Sequence, residues 1–134
     1  MSVYYNFRNY LDKLRINYRE INDQIVFPAE VQDGRTLMML FAEDDDVNSA
    51  YLTAFVPCNF RYNLNDGYVL CNKINANSNG PRCAVIDDPS AGNMYGTISV
   101  QLQDYLNPHN FDELCQDMLD REIDIINEVI ESIE

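Results

Sequence analysis

Apolar positions along residues 3–16 recur at helical spacing, with Val3, Phe7, Tyr10, Leu11 and Leu14 on one face and Arg8, Asp12 and Lys13 away from it. Ser2 precedes this run in the position of an N-cap. The period then changes. "YREINDQIVFPAEV" offers two short strand-like runs around an Asn-Asp turn, and its Pro28 predicts an edge strand or a bulge. "QDGR" at 32–35 is a hairpin turn leading into "TLMMLFAE", whose unbroken apolar character predicts a central strand covered on both faces. "DDDVNS" turns the chain into "YLTAFVP", which Pro57 closes. Helical spacing returns over 63–77 until "NSNGP" stops it, and "RCAVIDD" and "MYGTISVQL" read as two strands joined by "PSAGN". The last helix starts after Pro108, with Asn110 as N-cap and Glu113 completing a capping-box-like start, and its apolar pattern runs to Ile133.

This order predicts one α+β domain spanning residues 1–134, with three helices and a largely antiparallel sheet of about five strands, α-β-β-β-α-β-β-α. No Gly-x-Gly-x-x-Gly or Walker-type loop occurs, so a doubly wound nucleotide-binding fold is disfavoured. In a strand, Leu37, Met39 and Phe41 point one way while Met38 and Leu40 point the other. One layer of helices covers only one face. The second face therefore calls for the middle helix, a symmetric partner or a bound segment, because contiguous exposed apolar patches are rare on monomers. The residues expected at a partner or dimer surface are Met38 and Leu40 on the strand and Leu64, Tyr68 and Cys71 on the second helix.

Charge narrows the classes of partner. The formal net charge of -13 should repel phosphate backbones and anionic headgroups, so neither nucleic acid nor a membrane surface is an expected partner. The longest apolar run falls far short of the roughly 20 residues that span a bilayer, and the start of the chain lacks the apolar centre of a secretory signal; a cytoplasmic protein is expected.

Candidate chemistry is sparse. Cys58, Cys71, Cys83 and Cys115 form no Cys-x-x-Cys pair and have no His at metal-ligand spacing, which predicts buried reduced thiols and neither metal nor cofactor. "EDDD" at 43–46 and "DD" at 87–88 lack the alternate-residue spacing of a Ca²⁺ loop and fit turns at strand ends. His109 lies near Cys115 in sequence, with no third group to orient a nucleophile–base pair, and reads as a helix-entry residue. Two polar residues fall on apolar faces. Asn75 shares a helical face with Leu64, Tyr68, Cys71 and Ile74, with Asn72 at the margin, and is expected to bond backbone at the helix end or on an adjacent strand. Glu122 falls near the centre of the arc made by Phe111, Leu114, Cys115, Met118, Ile125, Ile126 and Val129, where it either faces a basic neighbouring helix or snorkels to water past its neighbours. Eight further acids and one base, Arg121, make residues 110–134 a segment of net charge -8. If the first helix, with Arg8, Lys13 and Arg15, packs on the same side of the sheet, basic and acidic helices lie side by side.

The stretches "FRNYLDKLRINYREI", "NKINAN", "CAVIDD", "GTISV" and "NFDELCQDMLDREIDIINEVI" together resemble the small YbjN-type domains, proposed bacterial sensory transduction regulators that share the type III secretion chaperone fold. The likeness covers nearly the whole chain in the family's order of elements. "DDPSAGNMYG" is a departure, being longer than the tight turn expected there. The resemblance implies a non-enzymatic protein, often dimeric, that acts by contact with another protein, and it carries no catalytic residues onto this sequence. The alternatives are a small enzyme with a cysteine- or carboxylate-based site and a purely structural oligomerisation domain. Absence of metal-ligand spacing predicts that a chelator leaves the melting temperature unchanged; a large drop on adding it would contradict this reading.

Overall fold

The computed structural model describes residues 2–44 and 48–134. The elements run α1 (Val3–Lys13), β1 (Arg19–Ile21), β2 (Gln24–Glu30), β3 (Thr36–Glu43), β4 (Ser49–Val56), α2 (Leu64–Asn77), β5 (Arg82–Val85), β6 (Ile98–Tyr105) and α3 (Phe111–Ile133). The fold is the expected α+β arrangement, and its sheet has six strands in the order β1-β2-β3-β4-β6-β5, every neighbouring pair antiparallel. The strand beyond the expected five is β1, only three residues long. It exists because Asn22 and Asp23, with φ of 50° and 63°, make a two-residue hairpin that matches the sheet's twist. Because β1 stops opposite Val26, Pro28 lies on a stretch of β2 that is itself a sheet edge, where a missing N–H removes no ladder bond.

Burial alternates with period two along the strands and puts the core on one face. Ile25 and Phe27, Met39 and Phe41, Ala50, Leu52, Ala54 and Val56, and Ile98, Val100 and Leu102 are all buried there. All three helices pack on that face. Phe7 of α1 stacks on Phe41 with centroids 3.9 Å apart and tilts against Phe27 at 5.3 Å. Side chains of α2 meet Cys83 and Val85 of β5, and Gly67 permits the approach, since a Cβ there would lie 2.8 Å from Val85 Cγ2. The long α3 lies beside both helices. Tyr10 donates to Gln116 Oε1 at 3.1 Å and Lys13 pairs with Asp112 at 3.0 Å, so the basic and acidic helices do lie side by side. Gln32 N donates to Asn127 Oδ1 at 2.9 Å, fastening the β2–β3 turn to α3.

Several local expectations need correction. β3 is interior in the strand order but not covered on both faces, because no helix crosses to its second face; Met38 is 46% exposed. Leu14 ends α1 as its C-cap and points to solvent. Ser2 does cap α1, accepting from Tyr5 N, and Glu43 helps by accepting from Tyr4 N at 2.9 Å. The capping box at α3 does not form. A 3-10 turn over Pro108–Asn110 takes the chain into the helix, Asn107 accepts from His109 N, and Asn110 makes no side-chain cap bond. The long β5–β6 connection contains a second 3-10 segment, Pro89–Met94, capped by Asp88. Of the acidic cluster at 43–46, Asp45 and Asp46 lie outside the described residues.

Candidate functional site

Among the described residues, no helix covers the sheet's second face, the open face hereafter. Its side chains come from the alternate positions of each strand, and the register puts Val26 beside Leu40, Pro28 beside Met38, Leu40 beside Thr53 and Ala42 beside Tyr51. Phe55 continues the apolar row on β4, opposite Ser99. Towards β6 the face turns polar: Gln101 Nε2 donates to Thr53 Oγ1 at 3.2 Å, and Gln103 Nε2 donates to Asp44 Oδ2 at 2.8 Å. At the β1 end a recess of ≈ 290 Å³ opens between Tyr18, Arg19, Val26, Pro28 and Met38. The result is a surface with an apolar centre over β2, β3 and β4 and polar margins, which gains free energy by losing water rather than by directed bonds.

The five residues expected at a partner surface do not meet. Met38 and Leu40 lie on the open face, exposed and half-buried respectively. Leu64 is half-buried against the core and Cys71 is 5% exposed, both beneath α2 on the opposite side of the sheet. Tyr68 is partly exposed and donates its hydroxyl to Asp87 Oδ2 at 2.8 Å. Cys71 is thus buried in the single chain, because the apolar stripe of α2 packs on β5. Val26, Pro28, Tyr51 and Phe55 were missed; the signal was their parity, legible once β2 and β4 are paired in register with Met38 and Leu40.

Asn75 has a structural assignment. Its Nδ2 donates to Cys83 O at 2.9 Å and its Oδ1 accepts from Cys83 N at 2.7 Å. The side-chain amide stands where the peptide group of a further strand would stand, so it closes the free edge of β5 while pinning α2 to it. Asn72 is exposed.

Glu122 does not snorkel. It is fully buried, neither carboxylate oxygen has a hydrogen-bond partner, and burial pushes its carboxyl up to about 9. It is therefore a neutral acid at pH 7. The other eight acids of residues 110–134 are exposed, as a solvated helix face requires.

The four cysteines are held away from nucleophilic chemistry. Burial raises every thiol, Cys71 to about 11, Cys83 and Cys115 to about 12, and half-buried Cys58 in the same direction, so thiolate is scarce at neutral pH. His109 is exposed while Cys115 is buried. Among the described residues no group of three or more His, Cys, Asp or Glu is placed to hold a metal ion, and no helix is long and apolar enough to cross a membrane. Asp87 and Asp88 are held in local bonds, to Tyr68 and to Ser90.

No protein-family model matches the chain, and a comparison with curated proteins finds no match. Among solved structures, the crystal structure of YbjN from E. coli, described there as a proposed transcription regulator, superposes with a TM-score of 0.67 at 15% identity, over 96% of this chain and 92% of that one. The fold is therefore that of YbjN.

Two stability outcomes follow. Asn75→Ala strands both backbone groups of Cys83 and should cost about 1–3 kcal/mol in denaturant unfolding, without changing partner affinity in the folded fraction; lost affinity at full stability would contradict this assignment. Glu122 takes up a proton on folding above its unfolded pKa of 4.5, so its own contribution to stability is greatest below that pH and declines as pH rises towards 9. At pH 7 the decline amounts to about 3 kcal/mol. Replacing it with Leu should raise stability at pH 7 and flatten the pH profile between 5 and 8; an unchanged slope would contradict a buried neutral acid.

Proposed function

We propose that the chain is a non-enzymatic protein-binding module, a regulator or chaperone-like protein whose open sheet face is covered in use by another polypeptide. The observation that carries this reading is the row Val26, Pro28, Met38, Leu40, Tyr51 and Phe55, apolar side chains on a face that no helix covers. Six strands of three to eight residues spaced about 4.8 Å apart make a face of roughly 600 Å², about three quarters of the roughly 800 Å² that each partner contributes to a standard interface. Met38 supplies an adaptable contact, suited to an irregular client chain as well as to a second copy. An isologous homodimer is the commonest way to cover such a face. The acidic charge favours a protein partner over nucleic acid or an anionic membrane and accords with a cytoplasmic setting. The YbjN-like fold and the raised thiols both favour binding over an enzymatic role.

Sedimentation at micromolar concentration with a hydrophobic reporter dye tests the reading. The wild-type chain should form dimers or bind dye. The double variant Met38→Glu, Leu40→Glu should do neither, while losing no more than about 1 kcal/mol of stability, as surface substitutions do. A wild-type chain that stays strictly monomeric and dye-free would overturn both the dimer and the open client surface.

A further inference from the structure

Two features meet at the far end of the sheet, on the helical side, and the open face uses neither. β5 is a four-residue edge strand whose one strand neighbour is β6, with α2 lying over it. Residues 64–85 form a continuous piece, helix then strand, held together by Asn75 on the Cys83 backbone and by Tyr68 on Asp87 just beyond the strand. Close to this piece, on α3, which packs against α2 as well as β4 and β6, lies Glu122, fully buried with both oxygens unpartnered and its electrostatic influence reaching Cys83.

We propose that α2 and β5 form a proton-linked flap, which closes over Glu122 in its protonated form and opens as a unit, with the remaining sheet folded, when the carboxyl gives its proton to water. A buried carboxyl with no hydrogen bond gains most from hydration, and β5, four residues long with a single strand neighbour, makes this piece the more weakly held part of the sheet near it. With a closed-state value of about 9 against 4.5 for a hydrated carboxyl, the closed form holds one proton more than the open form across that range. Each pH unit then favours opening about tenfold.

No surrounding group offsets this. Cys83 on β5 and Cys71 on α2 stay neutral; β4 turns apolar side chains inward, and β6 adds one charged group, Asp104, which shares the parity of Val100 and Leu102 and is paired with Arg121. From α1, Tyr10 is bonded to Gln116 and Lys13 to Asp112. On α3 itself, Arg121 is held by Asp117 and by Asp104 of β6, while Cys115 and Glu128 bring no positive charge. Opening turns Leu64, Cys71 and Ile74, which form the underside of α2, and the edge of β5 towards solvent. The flap stands independently of what the open sheet face binds.

Backbone hydrogen exchange on the full chain at pH 6 and pH 8, corrected for intrinsic rates and read by mass spectrometry, tests it. Fragments covering 64–85 should open more readily than those covering 49–56, and their opening equilibrium should rise close to a hundredfold between the two pH values. In Glu122→Gln that rise should vanish, with Glu122→Leu as a second neutral variant should the first not fold. Equal protection of the two regions, no rise in the wild type, or a rise that survives in the neutral variants would overturn the proposal.

Discussion

The placement of all three helices against one face of a six-stranded sheet sets the terms for the rest of the molecule. It follows from the period-two pattern of β2, β3, β4 and β6, which delivers one continuous apolar surface, and from three helices each carrying a single apolar stripe. Phe7 stacked on Phe41 anchors α1 at one end, Gly67 lets α2 down on Val85 at the other, and α3 runs beside both. With the helices used in this way, no helix among the described residues covers Met38, Leu40 and Phe55 on the second face. A core built on one side thus leaves apolar side chains on the other, the surface proposed to meet a partner.

The two polar residues on apolar helix faces resolve in opposite ways. The Asn75 amide has one donor and one acceptor matched to one residue of an edge strand, so its burial is compensated. Glu122 has no partner, and its protonation is what makes its position tolerable. The first fixes α2 on β5; the second places a cost under the same region that depends on pH. In the proposed flap, the Asn75 latch and the Glu122 cost act against each other.

Much of this was legible in the residues. The element order, the QDGR hairpin, the Ser2 cap and the opposite directions of Met39 and Phe41 and of Met38 and Leu40 follow from local spacing and turn chemistry, which act within a few residues. The failures needed contacts distant in sequence. The unbroken run TLMMLFAE is compatible with a strand covered on both faces, and only the packing of all three helices on one side decides otherwise. Cys71 shares a helical stripe with Tyr68, yet one is buried and the other partly exposed, because β5 lies under only part of that stripe. Asn110 had the right neighbours for a capping box, but the preceding Asn107-Pro108 turn changes the angle at which the chain enters α3.

The central claim is that the open sheet face is the surface a partner covers, and the methyl groups of methionine report on it directly. With methyl-labelled methionine and a soluble paramagnetic agent, Met38 should be strongly broadened in dilute protein, while buried Met39 and Met118 should not. On raising the concentration into the dimer range, or on adding a co-purified client, Met38 should become protected while Met39 and Met118 stay unchanged. A Met38 methyl that remains equally accessible after the partner has bound would contradict the account.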